Sequence, residues 1–102
     1  MEHKIHRIIE CNLLEPYRLE LKFEDGLMRE IDFSQVLEGE LYEPLKNDEL
    51  FAKVQIDPEV KTIIWPNGAD FDPAILHDWP LYEKSFIQAA KRWKESRTHA
   101  IA

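Results

Sequence analysis

Residues 61–73 read KTIIWPNGADFDP and contain the clearest structural signals in the chain. The apolar run stops at Pro66, and the Asn-Gly pair that follows is typical of a tight turn. Asp72 before Pro73 has the pattern of an N-cap followed by the first residue of a helix. The stretch therefore predicts a strand end, a tight loop and a helix start within a few residues.

The elements on both sides of this loop are predicted from the same pattern. Residues 60–65 indicate a strand that is buried on both faces or central in a sheet, because the last three are large and apolar. A short helix is predicted over residues 73–77. A longer helix is predicted to begin near Asp78 and to cover residues 79–95, whereas residues 96–102 are expected to be frayed. Its apolar stripe consists of Tyr82, Phe86, Ala89, Ala90 and Trp93.

The first two predicted strands lie in the N-terminal part of the chain. Residues 5–13 alternate moderately between apolar and polar positions, and Pro16 ends this pattern. Residues 17–23 alternate more clearly, with apolar side chains on one face and charged side chains on the other. The second segment is therefore the best strand in the sequence.

The turn after this strand is predicted from the register of a hairpin. A two-residue loop would place apolar positions opposite charged ones. A three-residue loop that ends at Gly26 instead places Phe23 opposite Leu27. The same register places Leu19 opposite Ile31, so the apolar faces match. We therefore predict the longer loop, with Gly26 at positive φ, between antiparallel strands at residues 17–23 and 27–33.

Shorter elements complete the predicted fold. Ser34 is predicted to cap a helical turn over residues 35–37. Asn47 or Asp48 is predicted to cap a second helix, and Ile56 a brief strand. The fold class is therefore α+β: a small antiparallel sheet with a β-hairpin, short helices and a C-terminal amphipathic helix that packs on the sheet or on a partner.

Length and composition predict one small folded domain. The chain has 102 residues, of which 44% are hydrophobic, and this fraction argues against disorder. We expect a single domain over residues 1–102 with its α+β core at residues 5–78. The single cysteine, Cys11, excludes an intramolecular disulfide and favours a reducing compartment. Without a signal peptide or a membrane span, the expected location is the cytoplasm.

The net charge of −7 is unevenly distributed along the chain. Residues 1–81 contain 8 Lys or Arg against 18 Asp or Glu, a net charge of −10, whereas residues 82–102 have a net charge of +3. An acidic body repels nucleic acid and anionic membranes, so that only the basic tail could attract them. A solvated helix face explains the basic tail equally simply.

Several motifs occur in a fixed order along the chain. They are Phe23-Glu24-Asp25-Gly26, the Ile-Asp-Phe-Ser step at residues 31–34, Pro44-Leu45 with Leu50-Phe51, and the string from Ile64 to Asp70 that contains Trp-Pro-Asn-Gly-Ala-Asp. With these motifs the sequence resembles the bacterial family known as domain of unknown function 2442, over roughly residues 5–78. The resemblance implies a small α+β domain and no established activity, cofactor or catalytic residue.

Some members of that family carry a helix-turn-helix DNA-binding domain after the shared domain, and others stand alone beside small toxin-like genes. The resemblance therefore implies a regulatory or antitoxin-like accessory role. This chain departs from the fused pattern, because one basic amphipathic helix follows Asp78 where a DNA-binding domain would need several. Direct operator binding is therefore not implied.

Three sets of polar residues are candidate ligand sites. Asp70 and Asp72 could place two carboxylates on one side of a loop, as Mg²⁺ or acid-base chemistry requires, although a helix cap explains one of them. The Asn67-Gly68 turn could form an anion-binding nest. His3 and His6 resemble a two-ligand fragment, but zinc usually takes three or four protein ligands.

No catalytic, cofactor or metal site is predicted. His77 beside Asp78 could be an oriented base, yet no recognised motif ties a nucleophile to it. Cys11 lies in a strand pattern and is interpreted as a small buried apolar residue. The remaining candidates are aromatic: Trp79, Tyr82, Phe86 and Trp93 are typical of a core, or of a protein interface when partly exposed.

The leading hypothesis is a non-enzymatic cytoplasmic interaction module that uses the last helix and its tryptophans, with a homodimer favoured. One alternative is a small-ligand protein or metal-dependent enzyme at Asn67, Asp70 and Asp72. Another is a nucleic-acid accessory protein that uses the basic tail, namely Lys91, Arg92, Lys94 and Arg97.

Overall fold

The computed structural model describes residues 5–101, with side chains up to residue 95. Within residues 5–101, two antiparallel sheets, one of three strands and one of two, are combined with three α-helices and a 3-10 turn. The elements are β1 (Ile8–Glu15), β2 (Arg18–Phe23), β3 (Met28–Asp32), the 3-10 turn (Glu43–Lys46), α1 (Asp48–Phe51), β4 (Gln55–Ile56), β5 (Ile63–Ile64), α2 (Pro73–His77) and α3 (Trp79–Ile101). The predicted α+β class is confirmed.

The β2–β3 hairpin has the predicted register. Leu19 lies opposite Ile31, and the Phe23 amide donates to the Leu27 carbonyl over 2.8 Å. Gly26 has a φ of +92°, the left-handed conformation that the three-residue loop requires. The loop prediction is therefore confirmed.

Strand β1 starts later than predicted and contains a bulge. Its pairing with β2 is irregular between Ile8 and Glu10, so the side-chain alternation shifts by one residue. The predicted alternation places Ile8 on the face opposite to Ile9. In the structure Ile8 is fully buried, whereas Ile9 is exposed. A periodicity of two cannot reveal such an inserted residue.

The core lies on one face of the three-stranded sheet and is rich in aromatic rings. Phe33, directly after β3, is fully buried, and its ring centroid lies 5.2 to 6.2 Å from those of four other aromatic rings. These four rings belong to Phe51, Trp65, Phe71 and Trp79. Residues far apart in sequence therefore meet around one phenylalanine.

The strand predicted over residues 60–65 is shorter than expected. Within it only Ile63 and Ile64 pair, with β4. Val60 is exposed and Lys61 has a φ of +60°, because Asp57 closes a turn here. The carboxylate of Asp57 accepts hydrogen bonds from the backbone amides of residues 59 and 60.

The helical turn predicted after Ser34 is also wrong. Residues 34–36 form a turn without a helix, and the capping group is Asp32, whose Oδ1 accepts from the Ser34 amide over 2.9 Å. Asp32 therefore forms an Asx turn that no helix follows, whereas the same type of bond at Asp72 caps α2.

The other short elements agree with the predictions. Between the two proposed caps for α1, the structure selects Asn47, whose side chain accepts from the Leu50 amide. Strand β4 contains Ile56. Helix α2 has the predicted bounds, with Asp72 as its N-cap. The caps of α1 and α2 were predictable because each cap forms a hydrogen bond with a residue close to it in sequence.

Helix α3 has 23 residues and is about 34 Å long at 1.5 Å per residue. Its first three turns contact the core through Trp79, Phe86, Ile87 and Ala90, whereas residues 91–95 are all exposed. The helix runs to Ile101, beyond the predicted end at residue 95, and the fraying of residues 96–102 stays a prediction. Among the described residues, no helix is both long and apolar enough to cross a bilayer.

Candidate functional site

The polar loop between β5 and α2 holds its side chains against the backbone. Asn67 Oδ1 accepts from the Ala69 amide, and Asn67 Nδ2 donates to the Leu41 carbonyl over 2.8 Å. Asp72 Oδ1 accepts from the Ala74 amide over 2.8 Å. Asp70 is exposed. Two of the three predicted ligand residues therefore stabilise the loop itself, and ligand binding by all three stays a prediction.

The four aromatic residues predicted for a partner surface separate into core and surface. Trp79 is 3% exposed and belongs to the core; its Nε1 has no hydrogen-bond partner among the described residues. Phe86 is partly buried, with its ring centroid 5.4 Å from that of Trp79. Tyr82 and Trp93 remain 40% and 43% exposed. The aromatic residues available for a partner surface on α3 are therefore Tyr82 and Trp93.

One side of the apolar stripe on α3 is uncovered. Ala90 is 8% exposed and faces the core, whereas its neighbour Ala89 is exposed. Positions 82, 89 and 93 lie on one helical face, because they are seven and four residues apart. We call Tyr82, Ala89 and Trp93 the uncovered strip of α3.

An apolar groove runs beside this strip. Its volume is ≈ 250 Å³, and its apolar lining includes Val36, Tyr42, Phe71, Phe86, Ala89 and Trp93. The groove lies between the uncovered strip and the aromatic core, because Phe71 and Phe86 line the groove and also pack in the core. Strip and groove together form an apolar surface on a chain with an otherwise strongly charged sequence.

The basic side chains of α3 do not share one face. Lys91 and Lys94 line a shallow depression with Glu38, whereas Arg92 is rotated by about 100° from Lys91 around the helix axis. Arg97 lies outside the described side chains. Among the predicted cations whose side chains are described, Arg92 therefore does not share the face of Lys91 and Lys94.

A second set of polar side chains lies at the end of α2, and the sequence indicated only part of it. His77 Nδ1 is 2.9 Å from Asp78 Oδ1, and His77 Nε2 is 2.7 Å from Asp25 Oδ2. Asp25 belongs to the hairpin loop, where its other oxygen accepts from the Leu27 amide. Arg29 of β3 donates to the His77 carbonyl over 2.6 Å. These bonds fasten the hairpin to the junction between α2 and α3.

His6 completes this cluster. Its ring stacks on that of His77 with the centroids 3.8 Å apart and an angle of 20° between the planes. One ligand atom each from His6, His77 and Asp78 lies within 4.8 Å of the other two. We call His6, Asp25, His77 and Asp78 the histidine cluster.

Electrostatic interactions favour the charged forms of His77, Asp78 and Asp25. Burial lowers the pKa of His77, but the hydrogen bonds and charges of Asp78 and Asp25 outweigh it, so that this pKa lies above its ordinary value. The hydrogen bond from His77 lowers the pKa of Asp78. The amide of Leu27 and the ring of His77 lower the pKa of Asp25. The two carboxylates therefore stay ionised around the imidazole.

Sequence reasoning singled out the His77-Asp78 pair but missed Asp25 and His6 as its neighbours. Asp25 is 52 residues away in sequence, and its position in the hairpin loop suggested only a turn. No spacing rule connects these positions. The predicted hairpin was the one available signal, because it placed Asp25 in a tight loop.

The sequence matches the model of a protein family described as "Protein of unknown function (DUF2442)" over residues 8–80. This match confirms the resemblance that the sequence motifs indicated. It ends at the beginning of α3, so most of that helix lies outside the matched region. No curated protein and no solved structure gives a significant match to the chain.

Proposed function

The chain belongs to the DUF2442 family, whose function is unknown, and we propose that it is a non-enzymatic protein-interaction module that pairs with a second copy of itself through α3. The observation that supports this most is the uncovered strip. Two aromatic side chains there are 40% and 43% exposed beside an apolar groove. Exposed aromatic residues next to a groove are typical of protein interfaces.

The length of α3 also favours a partner. The described side chains of residues 91–95 are all exposed, so this part of the helix buries little apolar surface against its own body. A helix of this size is marginal in water unless one face is buried. A partner that covers Trp93 and its neighbours would supply that burial.

Residue sizes along the strip suit a second α3. Ala89, the small residue between Tyr82 and Trp93, allows two helices to approach closely at a two-fold axis. In an antiparallel crossing at Ala89, Trp93 of each helix lies beside Ser85 of the other. Ser85 is small and exposed, which leaves room for an indole ring.

Charge favours the same arrangement. An antiparallel crossing brings the distal half of each α3 beside the body of the other copy. Residues 82–102 have a net charge of +3 and residues 1–81 have a net charge of −10, so the contact is attractive. A regulatory or antitoxin-like role would then belong to the dimer.

The alternatives have less support. A nucleic-acid accessory role needs a continuous basic face, whereas Arg92 is rotated away from Lys91 and Lys94. An enzyme at the loop needs free polar groups, whereas Asn67 and Asp72 are bonded to backbone groups.

Light scattering coupled to size-exclusion chromatography tests this proposal. At about 100 μM and low salt, a concentration that populates complexes of micromolar affinity, the wild-type chain should have about twice the 12.1 kDa monomer mass. Ala89→Glu should give a monomer, because it places a charge at the crossing point. Gln88→Glu is the matched control: it adds the same charge about 100° around the helix and should leave the dimer intact.

Two results would contradict the proposal. One is a wild-type monomer at that concentration, and the other is a dimer that persists in Ala89→Glu. Raising the salt concentration should weaken the dimer, since screening reduces the attraction between exposed charges.

A further inference from the structure

We propose that His6, His77 and Asp78 bind a divalent cation of the Zn²⁺ type, and that Asp25 is the residue that orients the His77 ring. This site lies at the α2–α3 junction and involves none of the residues of the uncovered strip. The inference is therefore independent of the proposed dimer.

The first argument is the proximity of the ligand atoms. One atom each from His6, His77 and Asp78 lies within 4.8 Å of the other two, and all three residues are partly buried. These residues come from the segment before β1 and from the end of α2. The fold therefore brings two imidazoles and a carboxylate from distant parts of the chain to one place.

The second argument is the hydrogen bond that orients His77. Asp25 Oδ2 lies 2.7 Å from His77 Nε2, so a proton on Nε2 is donated to a carboxylate. The other nitrogen, Nδ1, then faces Asp78 Oδ1 at 2.9 Å and is available as a ligand in place of its proton. A carboxylate that binds the second nitrogen of a ligand histidine is a recurrent feature of zinc sites.

The ligand types select the class of cation. Two imidazole nitrogens and one carboxylate oxygen suit Zn²⁺ or Co²⁺, whereas Mg²⁺ and Ca²⁺ prefer oxygen ligands. Three protein ligands leave a fourth position of a tetrahedral site for water or another ligand. The carboxylates of Asp25 and Asp78 offset the double charge of the cation.

Binding requires a change at His6. Its ring is nearly parallel to that of His77, so the ring nitrogens lie side by side and do not converge on one point. His6 precedes β1 and is partly exposed, so its side chain can rotate without breaking the sheet. The cation would then tie the N-terminal segment to the point where α3 leaves the body.

The test uses the tag-free full-length chain, treated with a chelator and then dialysed. Isothermal titration with Zn²⁺ should give one site with a Kd below about 10 μM. His6→Gln and Asp78→Asn should each weaken binding at least about 10-fold, and Asp25→Asn should weaken it by about 10-fold, as expected for an orienting carboxylate. His3→Gln and His99→Gln are the matched controls and should leave the affinity within about 2-fold.

A second readout is the visible absorption of bound Co²⁺, which should show a tetrahedral site in the wild-type chain and change in His6→Gln. Far-ultraviolet circular dichroism checks that each variant is folded. His6→Gln decides the result if Asp78→Asn does not fold. The proposal is overturned by a Kd weaker than about 10 μM, by unchanged affinity in His6→Gln, or by loss of binding in His3→Gln.

Discussion

Gly26 shows how one residue determines a turn. It has a φ of +92°, and a Cβ built on it would meet no other atom within 4 Å. The cost of replacing it is therefore a cost of backbone conformation and not of steric overlap.

Gly26→Val should lower the free energy of unfolding by about 1 to 2 kcal/mol, because a β-branched side chain strains the left-handed region. Gly26→Asn is the matched control and should cost less, since asparagine tolerates this region better. Urea unfolding measures both variants. Equal stability of Gly26→Val and the wild type would argue against the turn.

Cys11 offers a test of burial at a single side chain. Burial raises the pKa of its thiol to about 11. At pH 8 the native thiol should react with iodoacetamide roughly 100-fold more slowly than in the urea-unfolded chain, because the thiolate is the nucleophile. The native rate should increase about 10-fold per pH unit up to pH 10. Similar native and unfolded rates at pH 8 would show that Cys11 is accessible and ionised.

The polar groups at this scale were only partly predictable from sequence. Asp72 could be assigned as a cap because its partner is two residues away. The contacts of His77 with Asp25 and His6 could not be assigned, because they depend on how the hairpin meets the end of α2. Local hydrogen bonds are visible in a sequence, whereas contacts between elements are not.

At the scale of elements, asparagine and aspartate side chains determine where helices begin and strands stop. Asn47 and Asp72 cap α1 and α2. Asp32 and Asp57 form turns in which their carboxylates accept from nearby amides, and these turns replace a predicted helical turn and the start of a predicted strand. The same hydrogen bond from a backbone amide to an Asn or Asp side chain occurs in a helix cap and in a turn without a helix. The sequence pattern alone therefore does not distinguish a cap from a turn.

The cap of α2 gives a direct test of the loop. Asp72→Ala should lower the free energy of unfolding by about 1 kcal/mol, because the Ala74 amide loses its acceptor. Asp72→Asn should keep most of the stability, since its amide oxygen can accept the same bond. Thermal unfolding compares the two, and equal losses in both variants would point to a role for the charge itself.

At the scale of the whole molecule, α3 shows which features of the fold could be predicted from the sequence and which could not. Its existence and its apolar stripe were predicted from residue spacing. Which half of the stripe is covered depends on where Val36 and Phe71 lie beside it, and no helical periodicity contains that information. The structure places Ala90 against the core and leaves Ala89 exposed, which determines the surface available to a second copy.

Cross-linking at Ala89 tests the pairing of two α3 helices most directly. In a Cys11→Ala background, a cysteine at position 89 should give a disulfide-linked dimer on mild oxidation, because a two-fold crossing there brings the two Cα atoms within about 7 Å. A cysteine at position 88, about 100° around the helix, should give little dimer under the same conditions. A position-88 variant that cross-links as fast as the position-89 variant, or no disulfide at position 89, would contradict the α3 dimer.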